Sequence, residues 1–398
     1  MERGVAVTGM GIISAIGTTI SSNLESLLAS ESGITSLEFV DSKHATNIKV
    51  GEVKITNNSL AEALQLPLKH TYTRTSLLGS IAAKEAIASA KISDIQQYKT
   101  GLISATTVGG MDMTEIYWDQ FASNPEALQY IDSHHCGDST SKIASQLGIT
   151  EFTTTISTAC SSAANAIMLG ARLIKAGKLD RIIVGGTDPL SKFTINGFKS
   201  LLLLSEEACK PFDANRNGLN LGEAAAYLVL EADSVVKEEN KEPLAYLSGY
   251  ANANDAHHQT ASSPDGEGAF LAMQQALKAA SLQPQDIDYI NAHGTATPNN
   301  DLSESVAIQR IFGKNIPLFS STKAFTGHTL AAAGAIEAVF SILALQQQKI
   351  FPNLNFAEAM PETGLLPVTT LQSKKIKHVV SNSFGFGGNC SSLIFSAV

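Results

Sequence analysis

Four short stretches carry the residues that could do chemistry. The first, TTTISTACSSAANAIMLGARLIKAG at 153–177, sets Cys160 among small residues where a β-branched run gives way to an apolar, helix-like one. A cysteine at such a joint meets the free N–H groups and the positive dipole end of the helix, which favour the nucleophilic thiolate. The second, NAHGTATPNND, carries His293, and the third, STKAFTGHTLAAAG, carries Lys323 and His328. The fourth, NSFGFGGN at 382–389, offers backbone N–H groups on a flexible loop. A thiol nucleophile works with a neighbouring acid/base or hydrogen-bond partner, and two histidines on Gly- and Thr-rich loops are candidates. Glycines beside them let the backbone come close to a substrate.

Each residue also has a plainer reading. Free cysteine commonly serves as a small buried apolar side chain, and the segment around Cys160 taken alone favours that role. Histidine is not rare here: His134, His135, His257, His258 and His378 occur as well. His293 and His328 differ from these in lying on loops between elements. The residues alone leave both readings open.

The elements that must position them repeat. In the first half YKTGLISATTVGGMD is a strand running into a glycine-rich loop, and in the second DIDYINAHGTATPNND is the same. Strand, polar turn and small-residue helix then follow in TTTISTACSSAANAIMLGARLI and again in PLFSSTKAFTGHTLAAAGAIEAVFSILAL. A glycine-led strand closes each half, GEAAAYLVLEA and GGNCSSLIFSA. The pattern predicts two similar α/β halves, 1–240 and 241–398, each a sandwiched sheet. The Ala- and Gly-rich helices fit closely approaching layers, or simply the high helix propensity of alanine.

Composition bounds the function. The 398 residues carry a net charge of −9, which argues against a nucleic-acid partner. Apolar residues make up 44% and charged ones 16%, enough for a large core. No uninterrupted apolar run reaches the length of about eighteen residues that suggests a membrane span. Cys136, Cys160, Cys209 and Cys390 form no CxxC pair, so neither zinc nor a redox dithiol is expected. With MERGVAVTGMG lacking the layout of a signal peptide, free thiols point to the cytoplasm.

TACSS, NAHGTATPNND, STKAFTGH and NSFGFGGN together resemble the elongating β-ketoacyl-acyl carrier protein synthases of the thiolase superfamily, and the similarity runs from VAVTGMGIISAIG to SSLIF. The resemblance implies a five-layered αβαβα fold built from two pseudo-repeated halves, acting as a homodimer or as a heterodimer with a similar chain. It implies a decarboxylating condensation, in fatty-acid elongation, of an acyl group on Cys160 with malonyl-acyl carrier protein. The partners are the acyl and malonyl forms of the carrier protein, with no cofactor and no metal. Carried over by motif, Cys160 is the nucleophile, and His293 and His328 stabilise the enolate. The backbone N–H groups of Cys160 and Phe386 form the oxyanion hole. Lys323 and Glu337 organise the site, Thr295 and Thr297 hold the pantetheine arm, and Phe386 gates the acyl pocket. Asp301 and Glu304 are structural. A Cys–His–His set fits the elongating type, whereas initiating synthases use Cys, His and Asn.

The segment 111–150 departs from the family, which leaves acyl specificity open, and its adjacent His134, His135 and Cys136 point different ways from most backbones. Leu202 stands where the family has a basic residue that docks the carrier protein; Lys199 is a substitute, and Lys69, Arg74, Arg172 and Lys175 are further basic candidates. Other readings are a polyketide or aryl-polyene pigment ketosynthase, a partner subunit of the same fold with little activity alone, and an unrelated Cys–His hydrolase.

Overall fold

The computed structural model describes residues 4–398. Ten strands form one hydrogen-bonded sheet: β1 (Val5–Ile13), β2 (Thr100–Ala105), β3 (Phe152–Ile156), β4 (Arg181–Asp188), β5 (Ala224–Glu231), β6 (Ala245–Asn254), β7 (Tyr289–Asn291), β8 (Leu318–Ser320), β9 (His378–Gly385) and β10 (Asn389–Ser396). Their order is β8-β7-β9-β10-β6-β1-β5-β4-β2-β3. Counted outward from the centre, β1-β5-β4-β2-β3 and β6-β10-β9-β7-β8 follow the same sequence of local positions. The strand directions match too. β1/β5 and β5/β4 are antiparallel like β6/β10 and β10/β9, whereas β4/β2 and β2/β3 are parallel like β9/β7 and β7/β8. The chain is therefore a pseudo-repeat, its halves joined by the short antiparallel ladder of Val5–Val7 with Ala245–Leu247.

Seven helices position the site: α1 (Arg74–Ser89), α2 (Cys136–Leu147), α3 (Ser162–Lys175), α4 (Lys192–Ser200), α5 (Glu267–Ala280), α6 (Pro298–Phe312) and α7 (Ala333–Gln347). α3 and α7 pack together and touch strands of both halves, forming the middle layer. α1 with α2 covers the outer face of the first half, and α5 with α6 that of the second. The result is five layers, helix, first half of the sheet, helix, second half of the sheet, helix. The pattern of α7, AGAIEAVFSILALQQ, is apolar all round, as a helix enclosed on every side must be. The stretch Leu330–Gln347 is long and apolar enough to cross a membrane, but 89% of it is buried inside this fold.

The small residues serve close approach. A Cβ on Gly334 of α7 would lie 2.7 Å from the backbone nitrogen of Ala164 in α3. On Gly9 of β1 it would strike the Ala86 carbonyl of α1, and on Gly249 of β6 the Ala276 carbonyl of α5, which are equivalent contacts in the two halves. Helix propensity alone would not require glycine at these points.

Candidate active site

The residues singled out by type lie beyond the C-terminal ends of four parallel strands, where reactive groups collect in α/β sheets. Cys160 follows β3, His293 follows β7, Lys323 and His328 follow β8, and Phe386 follows β9. Cys160 and α3 occupy in the first half the place that Lys323, His328 and α7 occupy in the second.

The turn at Cys160 is sharp. Ala159 sits at φ 51°, a left-handed conformation that a residue with a Cβ adopts at a cost. Local hydrogen bonds hold it there: the Thr158 N–H donates to the Ser162 hydroxyl at 2.8 Å, and that hydroxyl donates to the Ala159 carbonyl at 2.5 Å. Helix α3 starts at Ser162 with Ser161 as its cap, so Cys160 lies just ahead of the helix end, as its spacing predicts. Gly385 presses against the same turn. A Cβ there would lie 3.0 Å from the Thr158 oxygen and 3.1 Å from the Cys160 nitrogen, so the next N–H, that of Phe386, reaches the thiol.

The expectation of a resting thiolate is corrected. Burial pushes the Cys160 thiol up to about 11, against the pull of the Lys323 ammonium and the Phe386 N–H. Desolvation outweighs the helix end because the residue is 6% exposed. The thiol carries its proton at rest and loses it on attack.

His293 and His328 stand edge to face, with ring centroids 5.4 Å apart. Carboxylates on α6 hold the His293 loop. Glu304 accepts from the backbone N–H groups of His293 at 2.9 Å and Gly294 at 2.8 Å, and Asp301 accepts from Ala296 at 3.1 Å and Phe212 at 2.7 Å. Both acids are buried, and burial raises Glu304 to about 7. Glu304 also accepts from the Asn382 side chain at 3.1 Å, and Asp301 from the Asn300 side chain at 3.1 Å. Lys323 donates to Nδ1 of His293 at 3.2 Å, to the His293 carbonyl and to Glu337. Burial lifts Glu337 to about 7 while Lys323 pulls it down.

His328 is placed through its backbone. Its N–H donates to the Asn220 carbonyl at 2.7 Å, and its carbonyl accepts from Gly222 at 2.9 Å. Its Nδ1 finds no hydrogen-bond partner among the described residues. Burial and the neighbouring Lys323 hold both imidazoles well below the ordinary range, so both are neutral at pH 7. A neutral His293 that accepts at Nδ1 carries its proton on Nε2.

Cys160, both histidines, Thr295, Thr297 and Phe386 line one cavity of about 280 Å³. The hydroxyls of Thr295 and Thr297 lie 2.9 Å apart on its wall. The Phe386 ring stacks on Phe198 of α4, centroids 5.8 Å apart and 19° from parallel. Gly387, at φ 79°, donates its N–H to the Gln259 carbonyl at 2.7 Å.

Sequence reasoning missed three supporting groups. Phe198 gave no signal of its own. Asn220, in NRNGLNLGE, gave no signal before its pairing with His328 was known. Asp188 closes the strand RIIVGGTD and is wholly buried; it accepts from Thr106, Thr107 and the Ala331 N–H, tying the turn after His328 to the first half. The residues given no part in the chemistry behave plainly, although Cys390 also lines the cavity. His134 bonds Thr114, and His135 caps α2 through the Gly137 N–H. Burial pushes Cys209 up to about 12 and raises Cys390 as well. Arg74 is corrected as a docking candidate: it is buried and forms a two-nitrogen pair with Glu223.

The chain is similar over nearly its whole length to known proteins. The beta-ketoacyl synthase N-terminal domain matches residues 2–235, and the beta-ketoacyl synthase C-terminal domain matches residues 244–357. The chain is 33% identical to 3-oxoacyl-(acyl-carrier-protein) synthase 2 of Staphylococcus aureus, over 99% of this chain and 98% of that one. Among solved structures, the ishigamide ketosynthase/chain length factor superposes with a TM-score of 0.94 at 29% identity, covering all of both chains. A type II polyketide acyl-carrier protein complexed with its ketosynthase gives 0.89 at 27%, again covering all of both chains. The chain belongs to the beta-ketoacyl synthase family.

Proposed function

We propose that this beta-ketoacyl synthase condenses an acyl thioester with malonyl-acyl carrier protein, with loss of CO2, in fatty-acid elongation. One observation carries the reading: a thiol and two neutral imidazoles face a single cavity, with Lys323 fixing which His293 nitrogen keeps the proton. In the first half-reaction the Cys160 sulfur attacks the acyl thioester carbonyl. The carrier thiolate leaves with the thiol proton, and the acyl group stays on Cys160. The Cys160 and Phe386 N–H groups receive the oxyanion.

In the second half-reaction the bond from the malonyl methylene to its carboxylate breaks. CO2 departs, and the electron pair moves onto the thioester oxygen as an enolate. The Nε2–H of His293 and the ring N–H of His328 are the donors for that charge. Neutral donors suit it because they need no counter-charge inside a dry site. The enolate carbon attacks the acyl-Cys160 carbonyl, a carbon–carbon bond forms, and the thiolate leaves and takes up a proton from water, the one proton that the condensation consumes. Thr295 and Thr297 hold the arm that delivers each substrate, and the Phe386 ring, resting on Phe198, closes the acyl side.

The enzyme works in the cytoplasm as a dimer with itself or with a similar chain. Strand β3 supports the dimer, since it ends the sheet with an edge that pairs with no further strand among the described residues. A polyketide or polyene ketosynthase is a second reading, favoured by the two solved structures above. The test is the product made by the purified chain from acyl- and malonyl-carrier proteins. A 3-oxoacyl thioester with release of CO2 supports condensation, and the length of the best acyl group separates the two pathways. Free fatty acid as the sole product would replace condensation with thioester hydrolysis.

A further inference from the structure

The segment that leads into β5, residues 218–222, is buried from end to end and reaches both turns that carry a histidine. Its main chain bonds to each. The Gly218 N–H donates to the carbonyl of Ala296, on the His293 loop, at 3.1 Å, and the Asn220 carbonyl accepts from the His328 N–H at 2.7 Å. The Asn220 side chain adds a second link. It is 1% exposed and uses both polar atoms: Oδ1 accepts from the Cys209 N–H at 2.7 Å, and Nδ2 donates to the Glu207 carbonyl at 2.9 Å and to the Ser205 carbonyl at 3.4 Å. Cys209 in turn is wedged between the same two turns. Its side chain packs with Ala296 and with Ala324, and its Sγ donates to the Lys323 carbonyl at 3.8 Å. Lys323 is the residue that bonds Nδ1 of His293.

One residue thus braces His328 through its main chain and the His293–Lys323 pair through its side chain. Neither Asn220 nor Cys209 lines the catalytic cavity, so the brace acts from behind the histidines. The chemistry of the place calls for a primary amide. One backbone donor and two backbone acceptors meet there away from water, and a side chain with both a carbonyl and an NH2 answers all three. Aspartate would set a carboxylate oxygen against two carbonyls, and an aliphatic side chain would leave three buried groups unpaired. The two imidazoles, edge to face with centroids 5.4 Å apart, must aim their N–H groups at one oxygen. A displacement of about 1 Å in such an arrangement costs roughly 100-fold in rate. Acyl transfer to Cys160 relies instead on the N–H groups of Cys160 and Phe386, which sit on the turns after β3 and β9.

We propose that Asn220 is a positioning residue for the decarboxylation step: its amide joins the loop 205–209 to the segment 218–222 and so fixes His293 and His328 relative to each other, with both donors aimed at one enolate oxygen. The proposal rests on the condensing function above and adds the residue that keeps its second half-reaction in register.

The test compares wild type with Asn220→Leu, which is of similar size and lacks the amide, and with Asn220→Ala, which decides where the Leu variant does not fold. Two single-turnover readings are taken on each protein well below its Tm: acyl transfer to Cys160 by intact mass, and CO2 release from malonyl-carrier protein by the acylated fraction. The proposal expects decarboxylation about 30- to 100-fold slower, with acyl transfer within about three-fold of wild type. It also expects non-additivity. In the His328→Ala background, Asn220→Leu should slow decarboxylation by less than about five-fold more, because relative placement has no meaning once one donor is gone. Decarboxylation at the wild-type rate, slowing or loss of both steps together in both variants, or a full multiplicative effect in the His328→Ala background overturns it. If wild type released no CO2 from malonyl-carrier protein, the condensing function itself would fall; if wild type released it and the variants slowed both steps alike, only the positioning role would.

Discussion

Lys323 donates a hydrogen bond to Nδ1 of His293 across 3.2 Å while paired with Glu337 on α7. This contact fixes the imidazole as an Nε2–H donor, so a buried ion pair sets the chemistry of a neutral residue. Lys323→Ala leaves Glu337 buried and unpaired and is expected to cost about 3–5 kcal/mol. The double variant Lys323→Met/Glu337→Gln removes both charges and should recover most of that stability in thermal melts. It should not recover malonyl decarboxylation, because Met cannot hold the His293 tautomer. Full catalytic recovery in the double variant would remove the tautomer role.

His293→Ala and His328→Ala are expected to slow malonyl decarboxylation far more than self-acylation. Enolate charge develops only in the second half-reaction, and losing one preorganised donor costs about 100- to 1000-fold. Single-turnover assays of each half-reaction measure the split. Equal losses would indicate a Cys–His pair of the hydrolytic kind.

The neutral state of the histidines gives a pH signature. Their folded pKa values lie well below 6.5, chiefly through burial. The unfolded chain therefore takes up protons near pH 6.5 while the folded protein does not. The stability from these groups is complete above pH 6.5 and is lost as pH falls from there toward the folded values. For His328 the loss approaches ~1.4 kcal/mol per pH unit. Denaturant titrations of wild type and His328→Gln should diverge from each other in that range, the variant falling less steeply. Decarboxylation by folded wild type should show no titration step at 6.5; a step there would mean that the imidazoles ionise like free ones.

Phe386 combines two separable functions. Its ring stacks on Phe198, and its N–H reaches the Cys160 thiol. Phe386→Ala keeps the N–H and should retain activity with an altered order of preferred acyl lengths. Phe386→Pro deletes the donor and should be far worse in both half-reactions. Equal rates for the two variants would leave the GFGG loop as a turn only.

Much of this was legible before the structure. The repeat was readable because β-branched strands and small-residue helices alternate twice in the same order, and the sheet reproduces that order position by position. Cys160, His293, Lys323 and His328 stood out because each follows a strand on a Gly- or Ser/Thr-rich turn, whereas the choice of roles, and Phe386 altogether, came from the resemblance to the family. Burial was not legible, and it reversed the sign of the shift at Cys160: a helix end is visible in sequence, but the loss of water around a thiol is not. Long-range partners were equally hidden. Asp188 reaches the Ala331 N–H at 2.9 Å across 143 positions, and no local pattern links them. Leu202 was noticed as a missing charge, but its left-handed backbone, at φ 58°, became apparent only in the turn that ends α4.

Intact-protein mass measurement tests the central claim most directly. Wild type and Cys160→Ala are incubated with acyl-carrier protein, and malonyl-carrier protein is then added. Wild type should gain the mass of one acyl group, mapped by peptide analysis to Cys160, and lose it on malonyl addition as 3-oxoacyl-carrier protein forms. Cys160→Ala should remain folded and gain nothing. An acyl group on the Ala variant, or on Cys136, Cys209 or Cys390 in wild type, would contradict the assignment of Cys160 as the nucleophile.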